Sequence, residues 1–236
     1  MNLVLFDIDG TLLRSEGAGR AAMVEAMERL YGRPDAFEGV SFSGAVDPGL
    51  VAAALARVGV PATPRQLGRV RATYLRALRR RMELARGAGR LTICRGAEAA
   101  IAELGARWPI GLMTGNWWRG ALIKLSIVNL WAPFERGVGA TGDDAADRDL
   151  LLPFAWRRAV RRGFTPTRVM VIGDTPSDVR AGQMGALALR AHGVEVQTVA
   201  VQTGFSTPEA LAASGPTLQV ADLHEGLGQV IALLER

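Results

Sequence analysis

The chain has 236 residues, 49% hydrophobic and 22% charged, with a formal net charge of +5 and a single cysteine. That length holds one domain or a core with an inserted module, and the apolar share excludes an intrinsically disordered chain. Short apolar runs exclude a membrane span, Cys94 alone forms no internal disulfide and reads as a buried inert thiol, and the basic excess comes without a nucleic-acid motif or interleaved aromatics.

In chain order, Leu3-Val4-Leu5-Phe6 reads as a strand buried on both faces. A strand beginning at residue 2 or 3 leaves no room for a signal peptide, so the cytoplasm is the expected location. The strand runs into Asp7-Ile8-Asp9-Gly10-Thr11. Two carboxylates at the end of a buried strand need compensation. Mg²⁺ would supply it, since hard cations prefer oxygen ligands, and a carboxylate can also attack phosphorus. From about residue 17 to 86 the pattern is helical only. Met23, Met27 and Leu30 recur at helical spacing until Gly32-Arg33-Pro34. Asp47 reads as an N-cap with Pro48 at the first helical position, opening a helix with Leu50, Val51, Leu55 and Val58. Pro64 opens a long arginine-rich helix with Leu67, Val70, Tyr74, Leu75 and Leu78 on one side, ended by Gly87-Ala88-Gly89. Arg79-Arg80-Arg81 reads as its solvated face.

The core resumes near Leu91, with a helix over 96–104. Ile110-Gly111-Leu112-Met113 is a second apolar strand and runs into Thr114-Gly115-Asn116. A helix over 117–129, a loop over 138–153 and a helix over 153–162 follow. Trp117-Trp118 either walls a cleft or anchors the helix, and aromatic packing favours the anchor. Val169-Met170-Val171-Ile172 then runs into Gly173-Asp174-Thr175-Pro176-Ser177-Asp178. After its helix comes a strand over 196–201, and then alternating loop and helix. Residues 182–189 read as an extra stretch, long enough for about two helical turns. His192 and His224 fit no motif and read as structural. Alternating strands and helices predict an α/β fold, a doubly wound parallel sheet with an inserted all-helical module. Ligands of such sheets bind at the carboxyl ends of the strands, so the three polar strand ends are expected to converge on one site.

Asp7-Ile8-Asp9-Gly10-Thr11, Thr114 with Gly115-Asn116, and Gly173-Asp174-Thr175-Pro176-Ser177-Asp178 resemble the first, second and fourth motifs of the haloacid dehalogenase-like (HAD) phosphohydrolase superfamily, in order and across essentially the whole chain. The resemblance implies a Rossmann-like HAD core over residues 1–14 and 88–236, with a C1-type helical cap over 15–87. In that frame Ser43-Gly44-Ala45-Val46-Asp47 is either a substrate-facing cap loop or a plain helix-entry turn. Asp7 would be the nucleophile and Asp9 the general acid and base. An acid at Asp9 favours phosphate over halide, which leaves without a proton. Thr11 would support the turn. Thr114, Gly115 and Asn116 would hold the phosphoryl group, a role compatible with helix capping. Mg²⁺ would sit on Asp7, Asp174 and the backbone carbonyl of Asp9. Asp178 would steady a metal-bound water or the third-motif cation, or cap its own helix.

The third motif departs from the family pattern, because no lysine stands before the last motif strand. Arg148 holds the matching place, ahead of Leu151-Leu152-Pro153-Phe154, and is preferred on position. Lys124, the only lysine of the chain, is the rival; otherwise it is a surface residue with its stem on the core. The resemblance implies a Mg²⁺-dependent phosphatase of small phosphate monoesters, most like the phosphoglycolate phosphatase branch, working as a monomer or homodimer. A phosphosugar mutase on the same core and a catalytically silent binding fold are the alternatives.

Overall fold

The computed structural model describes residues 1–236. β1 (Asn2–Phe6) lies at the centre of a parallel sheet, between β4 (Ile110–Met113) and β6 (Arg168–Gly173). β5 (Gly139–Ala140), β7 (Glu195–Val201) and β8 (Leu218–Val220) complete the order β5-β4-β1-β6-β7-β8. Register is tight at the centre, with Leu5 opposite Gly111 on one side and Val171 on the other. Successive side chains of a strand face opposite sides, so β1 feeds two cores. Val4 and Phe6 join Met170, Ile172, Val199 and Val201 in one, while Leu3 and Leu5 join Met113, Val169 and Val171 in the other. Helices cover both faces: α4 (Ala97–Arg107), α5 (Trp118–Ser126) and α9 (Leu223–Glu235) pack on the first, and α6 (Leu151–Arg161) and α7 (Pro176–Leu189) on the second. A short α8 (Pro208–Ala213) follows β7.

The chain leaves this sheet through β2 (Leu13–Arg14) and returns through β3 (Thr92–Ile93), which pair antiparallel. The residues between them are helical: α1 (Ala18–Tyr31), a short turn of 3₁₀ helix at Pro34–Phe37, α2 (Asp47–Arg57) and α3 (Pro64–Gly87). Gly32 ends α1 in the left-handed region with φ 66°, the conformation that glycine adopts most cheaply. Thr63 accepts a hydrogen bond from the Gln66 N–H and so caps α3.

Three local expectations change. Arg80 and Arg81 do not only face water, because both hold the buried Glu25 carboxylate of α1, at 2.5 Å and 3.0 Å. The region 138–153 is not wholly loop: β5 forms there, and α6 starts at Leu151 with Pro153 inside its first turn, where proline costs no hydrogen bond. Asp47 does not cap its own helix; Val46 is the N-cap and the carboxylate goes elsewhere. Residues 182–189 form the last two turns of α7, with Gly182 against Thr198 and Gly185 against Leu152. Cys94 is buried, which pushes its thiol up to about 11. No helix is long and apolar enough to cross a membrane.

Candidate active site

The Asp7 N–H donates to the Ile172 carbonyl at 2.9 Å, so the chain keeps the strand direction for one residue beyond β1. It then turns sharply. The N–H groups of Thr11, Leu12 and Leu13 all reach the Ile8 carbonyl, and Gly10 takes φ 89°. A Cβ at Gly10 would lie 2.4 Å from Asp174 Oδ2, so glycine is needed for space as well as for φ. The Thr11 hydroxyl donates to Asp174 Oδ1 at 3.1 Å and thereby ties the first strand end to the end of β6.

Asp7, Asp174 and Asp178 are all buried, and one carboxylate oxygen of each lies within 4.8 Å of the others. One cation reaches into this group. Arg148 Nη2 stands 3.0 Å from Asp7 Oδ1 and hydrogen-bonds Asp178. Asp178 also closes a capping box, accepting from the Thr175 N–H and hydroxyl, so one carboxylate both meets Arg148 and caps its own helix. Burial is the largest cause that raises Asp7 to about 6, against the pull of Arg148. Burial, then Asp178 and Asp7, raise Asp174 to about 8. Three buried carboxylates facing one guanidinium leave negative charge uncompensated. Asp7 Oδ1 has the Arg148 ion pair but no well-aligned hydrogen bond despite its burial, and no backbone N–H donates to the Asp9 carbonyl. An all-oxygen donor set short of positive charge suits Mg²⁺. Gly204 closes the far side, where a Cβ would fall 1.7 Å from Asp174 Oδ2, and the Thr203 hydroxyl donates to the Gly10 carbonyl at 2.6 Å.

Across the cavity, Thr114 ends β4 fully buried. Its hydroxyl accepts from Asn116 Nδ2 at 2.9 Å, and the same amide donates to Asp9 Oδ2 at 2.9 Å. Lys124 is not a surface residue. It is 4% exposed, and its ammonium donates to Asp9 Oδ2 at 2.5 Å and Asn116 Oδ1 at 2.7 Å. The two cations therefore serve different acids, Arg148 at Asp7 and Lys124 at Asp9. Both donors to Asp9 meet Oδ2, which leaves Oδ1 without a protein partner.

The loop ahead of α2 closes the site. The Asp47 N–H donates to the Gly115 carbonyl at 2.8 Å, and Asp47 Oδ2 accepts from the Trp117 N–H at 2.9 Å. A Cβ on Gly115 would come within 2.0 Å of the Ala45 carbonyl, and one on Gly44 within 2.4 Å of Ser177. Arg71 of α3 reaches Asp143 at 2.6 Å, and Asp143 accepts from the Trp118 N–H. Burial raises Asp47 to about 7, opposed by Lys124. Trp117 is buried against Tyr74, an anchoring position. The half-open cavity is about 220 Å³, and Asp7, Asp9, Thr114, Gly115, Asn116, Lys124, Arg148 and Asp174 all line it; Asp178 stands behind Arg148. Asp47 lies in the segment read either as a substrate-facing loop or as a helix-entry turn, and it lines the cavity. Thr203 and Gly204 were not expected here, and no local pattern marks them.

Strand-end carboxylates on a central parallel sheet, closed over by an inserted helical segment, define an α/β protein with an acidic site at the carboxyl edge of its sheet. The chain belongs to the haloacid dehalogenase-like hydrolase family, whose model matches residues 1–185; a HAD-hydrolase-like model matches residues 151–226. Solved structures share the fold at low identity. A hydrolase from Pseudomonas syringae is 19% identical with a TM-score of 0.65, covering 98% of both chains. A protein described as a predicted phosphatase from Clostridium acetobutylicum is 15% identical with a TM-score of 0.67, also over 98% of both. A candidate β-phosphoglucomutase from Bacteroides vulgatus is 20% identical with a TM-score of 0.64, over 100% of this chain and 91% of that one. No curated protein sequence matches the chain.

Proposed function

We propose that the protein is a Mg²⁺-dependent phosphatase of small phosphate monoesters, with residues 1–14 and 88–236 as catalytic core and 15–87 as a cap. The observation that carries this reading is the pairing of Asp7 with Asp9 under separate cations. Arg148 lies on Asp7 at 3.0 Å and Lys124 on Asp9 at 2.5 Å. Two carboxylates in unlike environments suit two unlike tasks.

Asp7 attacks phosphorus; the bond to the leaving oxygen breaks and an aspartyl-phosphate forms. Asp9, held through Oδ2, gives a proton from Oδ1 to that oxygen, and the alcohol departs. Water then attacks the phosphorus, Asp9 Oδ1 takes its proton, the bond to Asp7 breaks and phosphate leaves. Thr114 and the N–H groups at Gly115 and Asn116 hold the phosphoryl oxygens, and Arg148 keeps Asp7 in line while offsetting charge. Asp7, Asp174 and the Asp9 carbonyl would hold Mg²⁺, which supplies further neutralisation of the phosphoryl oxygens. The clasp of Asp47 on Gly115 and Trp117 keeps bulk water out during transfer. That same closure favours a second reading, a phosphosugar mutase, in which an acceptor hydroxyl replaces water.

Phosphate release against isomerisation, scored on a panel of small monoesters with and without Mg²⁺, separates the readings. Release of inorganic phosphate with metal supports hydrolysis. Isomerised ester without phosphate overturns it.

A further inference from the structure

The cavity has a second polar end, away from the buried carboxylates. Arg14 of β2 lies with its guanidinium 5.1 Å from the centroid of Phe205, a ring 79% exposed. Arg20 of α1 lies 5.3 Å from the centroid of Phe42. All four side chains line the cavity. Neither arginine meets a carboxylate within salt-bridge distance. A guanidinium stacked on a ring is held in plane while its N–H edge stays free to donate, and that edge matches a carboxylate or phosphate in bidentate fashion.

Ser15 lines the same end and is 8% exposed. Beside it α1 begins at a left-handed Gly17, with no side-chain cap and no acid in its first turn. Its N-terminal N–H groups and dipole therefore add to the positive end. Glu16 is the one carboxylate there; it is exposed and pairs with neither arginine. Deeper in, Asp9 is paired with Lys124, and Asp47 is turned towards the Trp117 N–H; neither forms an ion pair with Arg14 or Arg20.

We propose that this end binds a second acidic group on the leaving alcohol, and that the preferred esters are small phosphomonoesters carrying a carboxylate or second phosphate of their own. The proposal rests on the phosphatase reading for its chemistry but not for its binding geometry. Core and cap segments build the subsite jointly, so the second anion would be read only when both are engaged.

The test compares 2-phosphoglycolate, ethylene glycol bisphosphate and 2-hydroxyethyl phosphate, which differ in the group distal to the ester. In wild type, kcat/KM for at least one acidic ester exceeds that for the neutral one by roughly ten-fold, the scale of charge-assisted contacts at a partly exposed site. Which acidic ester leads tells carboxylate from phosphate. The ratio falls towards unity in R14A/R20A, and in each single variant should the double one fold poorly. Calorimetric affinities of the same esters for Asp7→Asn follow the same order and the same loss. A wild-type ratio near one, or a ratio unmoved by both substitutions, overturns the subsite. No turnover of any ester, with the acidic preference intact in the binding data, overturns the catalytic reading and leaves the subsite standing.

Discussion

Arg148 and Lys124 divide the first strand end between them, and their loss should leave different marks. Arg148 touches Asp7, the proposed nucleophile. Arg148→Ala should slow alkyl phosphates and p-nitrophenyl phosphate alike, by roughly 10²–10³-fold, as for other lost electrostatic contacts. Lys124 holds only Asp9 and Asn116. Lys124→Ala should cost alkyl phosphates about ten-fold more than p-nitrophenyl phosphate, whose leaving group needs no proton. Equal losses on both substrates for Lys124→Ala would break the assignment of Asp9. Gly204→Ala puts a Cβ where Asp174 Oδ2 stands. The variant should therefore lose the rise in Tm that Mg²⁺ gives wild type; an unchanged rise would remove Asp174 from the metal site. The acids were legible in the sequence because Asp7 and Asp9, and Asp174 and Asp178, sit in short local patterns after apolar runs. Lys124 was legible only as an oddity, the sole lysine in an arginine-rich chain. Its task arises from a turn of α5 falling over Asp9, more than a hundred residues away in sequence. Gly204 and Thr203 had no local signal, since only the folded approach of β7's end to Asp174 gives them a role.

The helical insertion is held by a buried carboxylate. Glu25 of α1 accepts from Arg80 and Arg81 of α3 and pairs with Arg29. The Arg80 hydrogen bonds, foremost among the causes, hold its carboxyl below the ordinary 4.5. A carboxylate with a depressed folded pKa stabilises fully above its unfolded value and loses that contribution as pH falls through the folded one. Glu25→Ala should therefore lower stability at pH 7 by about 1–3 kcal/mol, with the difference from wild type shrinking as pH falls below 4.5. A difference constant from pH 7 to pH 3 would mean that packing, not charge, holds α1 to α3. The long helices were legible from their stops and caps, as at Gly32 and Pro64. The two-residue strands β2, β3 and β5 were not, because so short a segment shows no period. Their pairing comes from the two chain crossings lying side by side and from the sheet edge beside β4. Asp47 shows the limit of capping rules. Its position before Pro48 fits an N-cap, but the nearby Trp117 N–H captured the carboxylate instead.

The molecule as a whole sets the six-stranded parallel sheet under an inserted helical segment, with the site at the seam. That arrangement was legible because two-faced apolar strands alternate with amphipathic helices, and because one helical block interrupts them. The closed seam was not, since the Asp47, Gly115 and Trp117 contacts and the Arg71–Asp143 bridge join residues far apart in sequence. Arg71→Ala should loosen the closure and raise KM for small esters more than it lowers kcat; a selective fall in kcat would place Arg71 in the chemistry instead. The central claim is that Asp7 carries the phosphoryl group. The measurement that bears on it most directly is Mg²⁺-dependent phosphate release by wild type and Asp7→Asn, with thermal unfolding of both recorded alongside. The account predicts release by wild type only with Mg²⁺, and release by a fully folded Asp7→Asn below about 1% of that rate. Release by folded Asp7→Asn at a rate close to wild type would contradict it.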